Sequence, residues 1–145
     1  MILADEAATR AAGAALAPLL RAGDIVTLDG PLGIGKTTFA RGLLAALGHA
    51  GEVPSPSFAI VQPYELTPVP LWHADLYRIN DPSELAELGL ESVLDEGALL
   101  VEWPERAGKG AFPGALCLSF EPAPRGARRL TARVPAAWED RWPPR

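Results

Sequence analysis

The hydrophobic positions of this chain fall into two periods, one near 3.6 residues and one of two. Their succession predicts the elements. An alanine-rich stretch from Ala7 to Leu20, with Asp5 ahead of it as a candidate N-cap, predicts a helix whose last turn Pro18 weakens or bends. Arg21-Ala22-Gly23-Asp24 ends it, and the β-prone run Ile25-Val26-Thr27-Leu28 then meets glycines at once, as a buried strand entering a loop does. Beyond the loop, Phe39, Leu43 and Leu47 recur at i, i+4 and i+8 with Gly48 as a stop, which predicts a second helix.

Period two takes over at Phe58, Ile60, Gln62 and Tyr64, and Val69 to Leu76 is a second extended run. The short Glu65-Leu66-Thr67-Pro68 connection between them allows only an antiparallel pair. Asp81-Pro82-Ser83-Glu84 places a cap, a proline and an acid where a short helix begins, carrying Leu85 and Leu88 until Gly89 interrupts it. Ala98-Leu99-Leu100-Val101 is wholly apolar and predicts a central strand with Glu102 at its tip, halted by Trp103-Pro104. Leu116, Leu118 and Phe120, then Leu130, Ala132 and Val134, alternate across a Pro/Gly/Arg turn region and predict a final hairpin. Helices alternating with strands imply an α/β domain. The two hairpins make its sheet mixed rather than purely parallel.

Composition narrows the classes. The chain has 145 residues, 48% apolar and 21% charged, which fits one folded domain over residues 1–145 with a short basic C-terminal tail. Residues 1–105 carry 5 Lys/Arg against 15 Asp/Glu, and residues 106–145 carry 8 against 3. An acidic body repels a polyphosphate backbone, so broad nucleic-acid binding by this chain alone is disfavoured. Cys117 is the single cysteine, and with His49 and His73 it makes no set of zinc ligands. Neither a leader nor an apolar run long enough to span a membrane is read from the chain, and the expected location is cytoplasmic.

The strongest chemical signal is Gly30-Pro31-Leu32-Gly33-Ile34-Gly35-Lys36-Thr37, which satisfies G-x-x-x-x-G-K-[ST] between a predicted strand and a predicted helix. Glycines let backbone N–H groups curl around phosphate oxygens, the helix presents its positive end, Lys36 supplies a cation and the Thr37 hydroxyl can ligate Mg²⁺. The expected fold is therefore a P-loop NTPase-like, three-layer α/β fold with a mixed, partly antiparallel central sheet. The expected ligands are ATP and Mg²⁺, with Gly30, Gly33, Ile34, Gly35, Lys36, Thr37 and Thr38 as candidate binding residues. Hydrolysis needs an acid near the metal and a means of orienting water. Glu102 stands at a Walker B-like strand end, and Asp75 in His73-Ala74-Asp75-Leu76-Tyr77-Arg78 is the second candidate. Spacing leaves open which acid binds metal and which orients water.

Weaker signals have bland alternatives. Ser55-Pro56-Ser57 suits a γ-phosphate sensor and equally a plain turn. His73 reads as a packed strand residue with no chemical role, and Trp103 as core more readily than as a nucleotide-stacking ring. Trp138 and Trp142, four apart, would share a helix face, docked on the chain's own body in preference to a partner.

Taken in order, several stretches resemble the TsaE family, also called YjeE, the small bacterial P-loop ATPases of tRNA threonylcarbamoyladenosine synthesis. They are Gly23-Asp24, the P-loop through Leu44, Gly48-His49, Pro54-Ser55-Pro56-Ser57, His73 to Arg78, Asp81 to Leu85 and Val101-Glu102-Trp103-Pro104-Glu105. The resemblance implies an ATPase that acts with the TsaB and TsaD proteins, meets tRNA only through that assembly and involves no membrane. It implies that Lys36 and Thr37 hold phosphate and Mg²⁺, that Glu102 helps hold the metal and that Asp75 supports hydrolysis. It also implies nucleotide contacts from Thr9 and Arg128. Pro31 and Ser57 depart from the family's usual Asp and Thr. The rivals are a P-loop small-molecule kinase, a nucleotide-binding adaptor without chemistry and a GTP switch. The last would carry Asn-Lys-x-Asp, which does not occur.

Overall fold

Seven strands in the order β1-β7-β6-β2-β5-β4-β3 form one mixed sheet in the computed structural model, which describes residues 1–50, 61–66, 69–81, 83–84, 88–108 and 110–143. The strands are β1 (Ile2–Leu3), β2 (Ile25–Asp29), β3 (Val61–Tyr64), β4 (Leu71–Asp75), β5 (Ala98–Glu102), β6 (Leu116–Pro122) and β7 (Arg128–Arg133). The middle four, β6, β2, β5 and β4, run parallel, while β3, β7 and β1 add on antiparallel. Both expected antiparallel pairs are present, Val61 opposite Ala74 in one and Cys117 opposite Arg133 in the other, while Phe58 and Ile60 of the first lie outside the described residues.

Strand β5 lies between β2 and β4, and all five of its residues are buried, as an unbroken apolar run requires of a strand covered on both faces. Leu100 packs into a core with Leu28 of β2 and with Phe39, Leu43 and Leu44, whereas Leu99 and Val101 point to the opposite side among Leu76, Leu90 and Ala107. The first side is covered by α1 (Glu6–Leu16) and α2 (Lys36–Ala46). The second is covered by the short α3 (Leu90–Val93) and a 3-10 turn at Pro104–Ala107. These are the three layers.

Helix α1 starts where Asp5 accepts a hydrogen bond from the Ala8 N–H at 2.8 Å, so the cap read from sequence forms. The helix is shorter than expected. Beyond Leu16 the chain tightens into a 3-10 turn over Ala17–Leu19, because Pro18 has no N–H to continue the α-ladder. Helices α1 and α2 approach closely enough that a Cβ on Gly13 would collide with the Phe39 carbonyl oxygen, and one on Gly42 with that of Arg10.

Other expectations need correcting. Gly89, at φ 63°, is the N-cap residue of α3, and residues 85–87, which would show whether it interrupts the helix expected ahead of it, lie outside the described residues. Most of the helix expected from Asp81 lies outside the described residues, although Asp81 does accept from the Ser83 N–H at 3.0 Å. Strand β1 was not anticipated: Ile2 and Leu3 pair with Arg129 and Arg128 at the sheet edge. Trp138 ends a 3-10 turn rather than lying on a helix, and is buried against the body of the chain. Arg141 follows it inward, with Nη1 2.7 Å and Nη2 3.0 Å from the two oxygens of Asp24 and the guanidinium 3.9 Å from the Trp138 ring. Among the described residues no helix is long and apolar enough to cross a membrane.

Candidate functional site

Three neighbouring parallel strands end in an acid: β2 in Asp29, β4 in Asp75 and β5 in Glu102. The carboxyl ends of parallel strands are where open α/β sheets build their clefts, because the loops diverge there. Glu102 shares a face of β5 with Ala98 and Leu100, and Asp75 shares a face of β4 with Leu71 and His73. That face carries α2, so both acids are aimed at its first turn.

The loop between β2 and α2 depends on glycine. Gly30 has φ 144°, and a Cβ there would lie 2.6 Å from the Phe120 carbonyl oxygen. Gly35 has φ 123°, and its Cβ would lie 2.9 Å from Arg128 Nη1 and 3.5 Å from Thr9 Cγ2. Both positions reject a side chain on conformation, and Gly30 also on space, since its neighbour is backbone. Gly35 therefore starts α2 without a capping side chain, leaving first-turn N–H groups with no intrahelical acceptor. The Ile34 N–H is turned inside the loop, onto the Pro31 carbonyl at 3.2 Å.

Lys36 is only 4% exposed. Its Nζ donates to the Gly30 carbonyl at 2.6 Å and sits 3.5 Å from the centre of the Trp103 ring. Burial lowers its pKa from the ordinary 10.5, opposed by the negative charges of Glu102, Glu105, Asp75 and Asp29. One residue on, Thr37 Oγ1 lies 3.4 Å from Glu102 Oε1. Leu32, Gly33, Gly35 and Lys36 to Thr38 line one side of a cleft of about 170 Å³. Asp75, Tyr77, Glu102 and Trp103 line the other.

The sequence candidates thus converge. Gly33, Gly35, Lys36, Thr37, Thr38, Asp75 and Glu102 line the cleft, and Gly30 and Ile34 shape the loop behind it. Thr9 and Arg128 meet at Gly35, but the Thr9 hydroxyl is turned away to the Asp5 carbonyl at 3.0 Å. Ser55, Pro56 and Ser57 lie outside the described residues.

Three features were missed or undervalued. His73 was given no chemical role, yet its Nε2 is 2.6 Å from Glu102 Oε2. Its place two residues before Asp75 on one strand face was the available signal. Tyr77 donates its N–H to Asp75 Oδ1 at 2.9 Å, and its ring centre is 4.9 Å from that of Trp103. Trp103 itself is a cleft wall, held at φ 58° by a turn that a non-glycine residue adopts at a cost of about 1–3 kcal/mol.

Residues 3–130 match the sequence model of a family described as "Threonylcarbamoyl adenosine biosynthesis protein TsaE". The chain belongs to the TsaE family. The family is described as one of threonylcarbamoyladenosine biosynthesis. Three relatives are each described as "tRNA threonylcarbamoyladenosine biosynthesis protein TsaE". The one from Haemophilus influenzae is 41% identical over 92 residues, 63% of this chain and 58% of that protein. Those from Bacillus subtilis and Streptomyces coelicolor are 43% and 46% identical, covering 66% of this chain in each case and 60% and 67% of the respective proteins. The chain thus spans less than two thirds of the length of the Haemophilus and Bacillus proteins. The fold is similar to the crystal structure of Bacillus subtilus YdiB, with a TM-score of 0.81 and 29% identity over 97% of this chain and 87% of that one. The TsaE match contains every cleft residue and Arg128, and stops before the Trp138–Arg141 clamp.

Proposed function

We propose that this chain is the Mg²⁺-dependent ATP-binding and hydrolysing component of the threonylcarbamoyladenosine machinery, acting with TsaB and TsaD. The observation that carries the reading is the pairing across one cleft of the α2 start, with Lys36 and Thr37, and the strand-end acids Glu102 and Asp75. Its charge balance supports a metal. Among the described lining residues Lys36 is the one cation, against two carboxylates, and a triphosphate would meet net repulsion there without a divalent ion.

The donor set fits Mg²⁺. Thr37 and Glu102 offer hard oxygen atoms, and among the described residues no cluster of three or more His, Cys, Asp or Glu forms an all-protein cage. Mg²⁺ in such sites uses one or two protein oxygens and completes its shell with phosphate and water. Thr37 and Glu102 would hold the ion, which would supply positive charge against the phosphate oxygens. Lys36 leaves the Gly30 carbonyl for phosphate oxygens, and the first-turn N–H groups of α2 complete the cradle. Asp75, with one oxygen already held by the Tyr77 N–H, is positioned to orient the attacking water.

The test is phosphate release from ATP by the purified protein with TsaB and TsaD, with and without Mg²⁺. Glu102→Gln should reduce the rate by about 100-fold or more, in line with loss of a metal-dependent electrostatic contribution. Phosphoryl transfer to a metabolite, indifferent to TsaB and TsaD, would establish the kinase reading instead. An absence of phosphate release with bound ATP would leave a nucleotide-binding adaptor, and an unchanged rate in Glu102→Gln would remove Glu102 from the chemistry.

A further inference from the structure

His73 is fully buried in the middle of β4, on the face that packs toward α2. Packing alone would be served better by an apolar side chain, since an imidazole there must give up water at two nitrogens. Only one nitrogen is compensated. Nε2 lies 2.6 Å from Glu102 Oε2, while Nδ1 has no hydrogen-bond partner among the described residues. With a hydrogen on Nε2 the ring donates to the carboxylate, whose oxygens can only accept.

Sheet register decides what this bond does. Asp75 is paired with Glu102 and His73 with Leu100, so His73 lies two residues back on the same face, behind the acid rather than beside the cleft. His73 does not line the cleft, whereas Glu102 does. The two oxygens of Glu102 are thereby divided: Oε2 faces inward to His73, and Oε1 faces Thr37 Oγ1 at 3.4 Å. A carboxylate with neither oxygen tied rotates about its last bond and presents either one, or neither, to a cation.

We propose that His73 is a positioning residue: by donating to Oε2 it locks the Glu102 carboxylate so that Oε1 stands beside Thr37 as a preformed pair of metal-ligand oxygens. This rests on the reading of Glu102 as a metal ligand. It adds that the affinity for the ion is set in part by a residue that never touches the ion. Partners of this kind that orient a ligating group typically change metal affinity by about 10- to 100-fold.

The experiment measures binding of a nonhydrolysable ATP analogue to the full chain by calorimetry, over a series of Mg²⁺ concentrations and in EDTA. His73→Leu should raise the Mg²⁺ concentration for half-maximal enhancement of binding by about 10- to 100-fold. Its metal-free affinity should stay within about twofold of the unsubstituted protein, since the Lys36 side of the cleft is untouched. His73→Gln and His73→Asn decide between a hydrogen bond and mere bulk, and carry the test if the leucine variant fails to fold. The Gln amide nitrogen reaches the place of imidazole Nε2 and should restore the Mg²⁺ requirement. The Asn amide stops near the place of Nδ1 and should not.

An unchanged Mg²⁺ requirement in His73→Leu, or equal rescue by Asn and Gln, overturns the proposal. So does a loss of metal-free affinity as large as the loss with Mg²⁺, which would make His73 a general packing residue. Glu102→Gln separates this from the reading beneath it. If that variant keeps the normal Mg²⁺ requirement, Glu102 is not a ligand and both fall. If it loses the requirement while every His73 variant keeps it, only the role of His73 falls.

Discussion

Replacing Lys36 by methionine keeps most of the side-chain stem and removes the charge. The ammonium is engaged within the protein, at 2.6 Å from the Gly30 carbonyl and 3.5 Å from the Trp103 ring centre. Two charge-assisted bonds to phosphate oxygens contribute about 3–6 kcal/mol, and exchanging the neutral Gly30 acceptor for them returns about 1–2 kcal/mol. The net loss on Lys36→Met is then about 2–4 kcal/mol, a roughly 30- to 700-fold weaker Kd. Calorimetry with ADP or a nonhydrolysable ATP analogue and Mg²⁺ measures it, with a thermal melt to show that the variant is folded. A Kd within about threefold of the unsubstituted protein, in a folded variant, would refute the placement of phosphate at this lysine.

The same variant tests the electrostatics without ligand. Burial lowers the pKa of Lys36 in the folded protein, so between that lowered value and 10.5 the unfolded chain binds more protons than the folded one. Stability should therefore rise with pH through this window, and the rise should vanish in Lys36→Met. Tyr64 has the opposite sign. Its pKa is raised by burial above 10.0, so its contribution is lost only in the more alkaline range, and urea titrations below that pH isolate the lysine. A pH dependence equal in the two proteins would contradict the burial of a charged Lys36.

Two structural predictions follow from the frame around the cleft. Asp24→Ala strands the Arg141 guanidinium, whose side chain is 7% exposed, and should cost about 3 kcal/mol by urea unfolding. The value sits at the low end for a broken buried pair because Leu19 and Ala137 still offer carbonyl oxygens at 2.7 and 3.1 Å. A loss under about 1 kcal/mol would show that the C-terminal segment is not clamped. Gly42→Ala should destabilise by about 1–2 kcal/mol, because overpacking at the Arg10 carbonyl outweighs the roughly 1 kcal/mol that alanine contributes to helix propensity. A more stable variant would mean that α1 and α2 lie further apart than described.

Much of the cleft was legible because its signals are local. Gly30 to Thr37 needs eight consecutive residues between a strand and a helix, and Asp5, Pro18 and the apolar run before Glu102 act within a few residues of where they stand. Hairpin partners followed from short connections, which limit the geometry before any packing is known. Strand β1 was not legible. Two residues carry no period, and Ile2–Leu3 is a strand only because β7 offers an edge more than a hundred residues away. Arg141 was likewise counted by composition with a basic C-terminal tail, and it is Asp24, across the whole chain, that draws its charge inside.

The residue types that can do the chemistry, and the order of the elements that carry them, are properties of the chain read linearly, since backbone conformation and side-chain period are set by neighbours. Which oxygen of Glu102 meets Thr37, which meets His73, and whether Lys36 rests on a carbonyl or an aromatic face were settled by the pairing of β4 with β5 and the laying of α2 across them. The Lys36–Gly30 bond spans only 6 positions, whereas the contacts of Glu102 with His73 and Thr37, and of Lys36 with Trp103, join residues 29 to 67 positions apart. At such separations a shift of one residue in strand register turns every side chain to the other face, and only the packed sheet fixes that register.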